Sequence, residues 1–177
     1  ITLVIASRPD AGGLERARRA GIPAVAISRK EFPDVDRFND AIHEELKRHR
    51  FDLILLAGFL SPFQLRGVYR QRVLNIHPAL IPAFSGTGYY GMKVHRTVIE
   101  SGVKVTGCTV HFADEEYDHG PIVLQEPVRV LDGDTPETLA ARVQEAERRL
   151  YPEAIRLWSE NRLQIEGRRV HILPAGQ

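Results

Sequence analysis

Cysteine occurs once in the 177 residues, at Cys108. That leaves no disulfide framework and no cysteine-built zinc site. Charge of one sign is also not in excess. The 24 Lys and Arg residues face 23 Asp and Glu, a formal net charge of +1, and no basic stripe runs along the chain, so a nucleic-acid partner has no electrostatic support. The densest cluster, "ERARRAG", alternates its charges over one short helix and reads as a solvated face. Long apolar runs are missing too. "LILLAGFL" is the longest, far short of the roughly 20 residues that cross a bilayer. With no signal peptide visible, the expectation is a cytoplasmic, soluble protein with no membrane partner, long enough for a single domain with its own core. An initiator Met is absent as well. The chain opens directly in "ITLVIAS", which already reads as a strand, and a leading segment ahead of it is expected.

What is present is an alternation of short apolar runs with helical patterns. "TLVIAS" and "IPAVAIS" read as buried strands on either side of a helix in "AGGLERARRAG" that Gly21 ends. In "PDVDRFNDAIHEELKRHR", Val35, Phe38, Ile42 and Leu46 fall at helical spacing. "FDLILLAGF" reads as a parallel strand buried on both faces, and a short helix is expected near "SPFQLRGVYR". "FSGTGYYGMK" is a glycine-rich loop, read as a lid or a plain surface loop, with a helix after it through "KVHRTVIESG". "KVTGCTVHFAD" and "PIVLQEPVRVL" are strands, with Pro127 marking an edge or a bulge. "DGDTPETLAARVQEAERRLYP" is a helix with Leu139, Val143, Ala146 and Leu150 inward. Asp134 or Thr135 caps it, Pro136 suits its first turn, and Glu137 completes a capping box with Asp134. "LQIEGRRVHIL" predicts a hairpin turning at Glu166–Gly167. This βαβ alternation predicts an α/β fold, a three-layer, open, mainly parallel twisted sheet with helices on both faces and some antiparallel strands in the C-terminal half.

The chemistry begins in "VLNIHPALIP". Residues i and i+2 of a strand share a face, so Asn75 and His77 project together, and Pro78 stops the strand. Two polar groups then stand at a strand's carboxyl end, where open α/β sheets bind ligands. Asp118 lies in the acidic turn "DEEYDHGPI". An imidazole with an ordinary pKa of about 6.5 exchanges protons near neutrality, and a nearby carboxylate is expected to raise that value and favour the cation. Imidazolium and carboxamide together suit a developing oxyanion, with the acid orienting the ring or taking a proton through a water. The residues alone leave open a solvated acidic turn and a structural histidine. His111 shares a strand face with Thr109, and the pair is placed behind the site as support. A metal held by His77, His111, His119 and Asp118 matches no standard ligand spacing, and no metal is expected. Cys108 reads as packed and inert.

Together, "VLNIHPALIPAFSG", "KVTGCTVHFADEEYDHGPIVLQEPV" and "GDTPETLAARVQEAERRLYP" resemble the folate-dependent formyltransferases, in particular their phosphoribosylglycinamide branch, in order and across nearly the whole chain. The resemblance implies transfer of a formyl group from 10-formyltetrahydrofolate, a co-substrate, to the glycinamide amine in purine biosynthesis. It also implies small-molecule partners only and a monomer or homodimer. It assigns catalysis to Asn75, His77 and Asp118. Folate contacts fall to Phe59, Leu60, Ser61, Asn75, Ala113, Asp114, Tyr117 and Asp118, and substrate contacts to Gly86, Gln144 and Glu147.

The chain departs from that pattern in several places. The family's opening strand, its Gly/Ser/Asn-rich phosphate turn and the following helix have no counterpart in residues 1–177, read otherwise as a single formyltransferase domain. "LAGFLSP" is short, "SGTGYYGMK" is enlarged, and Val35 occupies the position where a basic residue would meet the folate glutamate tail. The competing readings are a methionyl-tRNA formyltransferase, a formyltetrahydrofolate deformylase, and a catalytically silent folate-binding module.

Overall fold

The computed structural model describes residues 1–176. They form two compact units. One contains residues 1–54 with 59–66, and the other contains 55–58 with the chain from Gly67 onward.

In the first unit, strands β1 (Val4–Ala6) and β2 (Ala24–Ala26) pair in parallel, with helix α1 (Gly12–Arg19) between them. Leu14 and Ala17 are the buried residues of α1. Gly21 lets the chain leave the helix at a φ of 68°, a conformation that costs a side-chain-bearing residue about 1–2 kcal/mol. Helix α2 (Val35–Lys47) starts where the Asp34 carboxylate accepts the Arg37 N–H at 2.7 Å. Its buried face carries the expected Phe38, Ile42 and Leu46, and also Asn39 and His43. These two polar residues hold the segment 59–66. Asn39 donates to the carbonyls of Val35 and Pro62 at 2.9 and 3.1 Å and accepts the Gln64 N–H at 2.8 Å. His43 donates from Nε2 to the Gln64 carbonyl at 2.8 Å and stacks on Phe63. The short helix expected over 61–70 does not form. The segment runs as turns, with Arg66 at a φ of 52°, because α2 supplies the hydrogen bonds that a helix would have made internally.

The second unit is built on a six-stranded sheet ordered β3 (Ile54–Leu56), β4 (Val73–His77), β5 (Val105–Phe112), β6 (Ile122–Arg129), β8 (Arg169–Ile172), β7 (Leu163–Glu166). β4–β5, β5–β6 and β7–β8 are antiparallel, while β6–β8 is parallel through one pair, Ile122 with Arg169. The α/β class and the antiparallel C-terminal half are as the sequence predicts. β3 is three residues long and is not covered on both faces, since Leu55 is 39% exposed. Helices α3 (Met92–Glu100) and α4 (Pro136–Ser159) cover the sheet, burying Val94, Val98, Leu139, Val143 and Ala146 against Cys108 and Val128. Burial pushes the Cys108 thiol up to about 12, which keeps it protonated and unreactive. Pro127 lies opposite Gly107, beyond the single β8 pair, so the outer side of β6 is an edge there. The bulge falls elsewhere, between Val110 and His111.

Two features of α4 differ from expectation. Its capping box pairs Thr135 with Thr138 rather than Asp134 with Glu137. Asp134 instead receives both guanidinium nitrogens of Arg142, at 2.8 and 2.7 Å. The helix also continues through Pro152 to Ser159. Pro152 removes one backbone donor, but burial of Ala154 and Leu157 beyond it contributes enough to carry the helix on. The Tyr151 hydroxyl lies 3.0 Å from the Leu56 carbonyl and 2.8 Å from that of Leu74, tying α4 to β3 and β4. The hairpin turns at Gly167–Arg168, one residue later than the sequence suggests, because Glu166 still pairs with Arg169. No helix among the described residues is long and apolar enough to cross a membrane.

Candidate active site

β4 ends at His77, immediately before Pro78. Antiparallel register sets Asn75 opposite His111 and His77 opposite Thr109 on β5. Asp118 reaches the same place from the loop joining β5 to β6, with its backbone at a φ of 53°.

Four side chains converge. Asp118 Oδ2 lies 3.3 Å from His77 Nδ1 and accepts the Gly86 N–H at 3.0 Å, while Oδ1 is 3.4 Å from Asn75 Nδ2 and 3.6 Å from His111 Nε2. The side chains of His77, His111 and Asp118 are only 4%, 2% and 10% exposed. His111 donates from Nδ1 to the Phe112 carbonyl at 2.9 Å, which leaves Nε2 to accept from Asn75 Nδ2 at 3.1 Å. His111 is therefore in direct contact with Asn75. Thr109 stands opposite His77. It donates to the Ala79 carbonyl at 2.7 Å and accepts from the Ile81 N–H and from Gln125 Nε2, bracing the chain just after β4.

The electrostatics correct the expected cation. Burial pulls the His77 imidazole below its ordinary value and outweighs the opposing pull of Asp118 and the Phe84 carbonyl. Burial alone would push Asp118 up, but its partners, His77 and the Gly86 N–H among them, hold it below the usual carboxylate range. The resting pair is an aspartate beside a largely neutral imidazole. Both ring nitrogens nevertheless face acceptors, because Nε2 lies 2.8 Å from the Phe84 carbonyl. The surroundings are thus laid out for an imidazolium that burial makes costly until a proton arrives.

Among the other predicted contacts, Ala113 donates its N–H to the Val73 carbonyl at 2.9 Å. Asp114 accepts from Glu116 N and His119 Nδ1, both at 2.9 Å. Tyr117 is half exposed, and burial, with Asp118 behind it, raises its hydroxyl. Gly86 meets the cluster through its backbone. On α4, Gln144 is exposed and Glu147 half-buried, its carboxyl raised by burial. Phe59, Leu60 and Ser61 belong to the first unit, where Phe59 stacks on Phe38. The backbone acceptor of Phe84 escaped sequence reasoning, as main-chain groups of a loop leave no signal in side-chain identity.

The formyl transferase family profile matches residues 1–155. This chain belongs to the formyl transferase family. It is 42% identical over 166 residues to the chloroplastic phosphoribosylglycinamide formyltransferase of Arabidopsis thaliana, covering 92% of this chain and 57% of that one. Against the trifunctional purine biosynthetic protein adenosine-3 of Gallus gallus it is 42% identical over 169 residues, covering 93% and 16%. The chain therefore spans little more than half the length of the plant relative and a small part of the bird one. Among solved formyl transferases, glycinamide ribonucleotide transformylase 1 from Symbiobacterium toebii superposes with a TM-score of 0.90 at 47% identity, covering 98% of this chain and 81% of that one.

Proposed function

We propose that this formyl transferase moves the formyl group of 10-formyltetrahydrofolate to the amine of 5'-phosphoribosylglycinamide, a step of purine biosynthesis, and that residues 1–177 act as one domain in doing so. The observation that carries the reading is the convergence on Asp118, whose two carboxylate oxygens lie 3.3 Å from His77 and 3.4 Å from Asn75. The names of the relatives supply the substrate class.

The donor brings an acyl carbon whose bond to N10 breaks as the bond to the attacking amine forms. One proton must leave the amine, and one must reach the departing nitrogen. Asn75 Nδ2 offers a neutral N–H to the oxygen where charge develops. His77 takes up a proton as that charge appears, since its ring already faces Asp118 and the Phe84 carbonyl, groups that favour the charged form. Stabilisation that arises only with the proton's arrival accelerates the step without tightening ground-state binding. Asp118, ionised at rest, relays the proton directly or through a water. Asn75 and the backbone of 113–118 are proposed for the pterin, and Gly86, Gln144 and Glu147 for the amine substrate.

The test is formyl transfer by the purified protein beside His77→Ala and Asp118→Asn, with a second run omitting the amine to expose simple hydrolysis. Both variants should stay folded and lose about a hundredfold or more in kcat. Unchanged rates would sink the assigned roles, and equal turnover without the amine would make the chain a hydrolase.

A further inference from the structure

We propose that Arg168, at the tip of the β7–β8 hairpin, is a positioning residue that holds the Asp118 loop in its working shape. The inference rests on the reading above for its link to turnover, but not for its structural content.

Asp118 sits in the left-handed region, a backbone state that persists when its surroundings over-determine it. The restraints on the near side are visible. Phe112 N–H bonds the Pro121 carbonyl at 2.9 Å, closing the loop at its base. Gly120 lies so close to Phe112 that a Cβ there would be 1.8 Å from its carbonyl oxygen. The Asp114 carboxylate holds His119 Nδ1. The outer restraint comes from the hairpin. Arg168 donates to the His119 carbonyl at 2.7 Å, and its other terminal nitrogen lies 2.6 Å from His119 Nε2. His119 directly follows Asp118, so the guanidinium fork grips the residue that continues the strained backbone.

Register explains why Arg168 is there. β8 meets β6 through Arg169 beside Ile122, which brings the preceding residue of the hairpin turn alongside the chain just before Ile122. The hairpin gives no group to the Asn75–His77–Asp118 cluster and nevertheless sets where the carboxylate points. An exposed contact of this kind adds little to global stability, so its positional effect can be separated from folding.

The experiment compares the full chain with Arg168→Ala and Arg168→Lys. Three things are read: hydrogen exchange of peptides covering 113–120, the NMR titration of the His77 ring, and turnover. For Arg168→Ala we expect an almost unchanged melting temperature and faster exchange confined to that loop. The His77 midpoint should move down, toward that of Asp118→Asn, because Asp118 is the neighbour that raises it. A loss of about tenfold in kcat should accompany these changes, as misplacement of a positioned group predicts, with KM for the amine little altered. Arg168→Lys, which keeps one donor, should recover part of each effect. Parent-like exchange over 113–120 together with a parent-like His77 titration in Arg168→Ala would overturn the inference. A parent protein without transfer activity would refute the proposed function instead, and the exchange and titration data would still decide the role of Arg168.

Discussion

At Gly107, β5 leaves no room for a side chain against β6. A Cβ at that position would lie 2.1 Å from the Glu126 carbonyl oxygen and 2.8 Å from Leu80 Cδ2. The leucine could rotate away, but the carbonyl belongs to β6 and moves only if the ladder opens. Gly107→Ala should therefore cost about 3 kcal/mol or more, in the range of severe core and backbone disruptions. The readout is a lower urea midpoint with an unchanged slope. A shift worth under about 1 kcal/mol would show that β5 and β6 can separate cheaply. His77 presents the same tension between fit and cost in electrostatic form. Its neighbours suit a cation, yet burial holds the ring below its ordinary value.

Among the elements, α2 carries the clearest division of labour. Its apolar residues supply cohesion, while Asn39, fully buried, spends its amide on three backbone groups, two of them in segment 62–64. Asn39→Ala would strand the Gln64 N–H and the Pro62 carbonyl. The expected loss is about 2–4 kcal/mol, from a cavity plus unsatisfied polar groups, and chemical denaturation measures it. A loss below about 1 kcal/mol would mean water replaces the amide freely. This element also shows what could be read in advance. Phe38, Ile42 and Leu46 declare themselves by period, whereas Asn39 looks like any polar residue until its partners are known. Likewise, the shared side of Asn75 and His77 follows from the two-residue period of a strand and the stop at Pro78. The presence of His111 beside Asn75 follows only from the register of β4 on β5, which no local pattern encodes. Passage of α4 through Pro152 was hidden for a related reason. A local breaker was outweighed by burial of Ala154 and Leu157 further along.

For the molecule as a whole, three of the buried histidines set the response to acid. Burial lowers the pKa of His43, His77 and His95, and His95 Nδ1 has no hydrogen-bond partner among the described residues. In the unfolded chain each titrates near about 6.5. Above that pH neither state binds the proton. As pH falls through that value the unfolded chain takes up protons that the folded chain refuses, so stability is lost on the acid side. Asp118, also lowered, extends the decline to still lower pH. The melting temperature should drop by several degrees between pH 7.5 and 5.5, with proton uptake on unfolding near pH 6. Equal melting temperatures at the two pH values would contradict this. The hairpin, finally, is sewn to the rest of the sheet by a single stitch, Ile122 beside Arg169. A chain pulled from its C-terminal end would begin to tear there, and shear along that one seam would carry Arg168 away from His119 while β4, β5 and β6 remained joined.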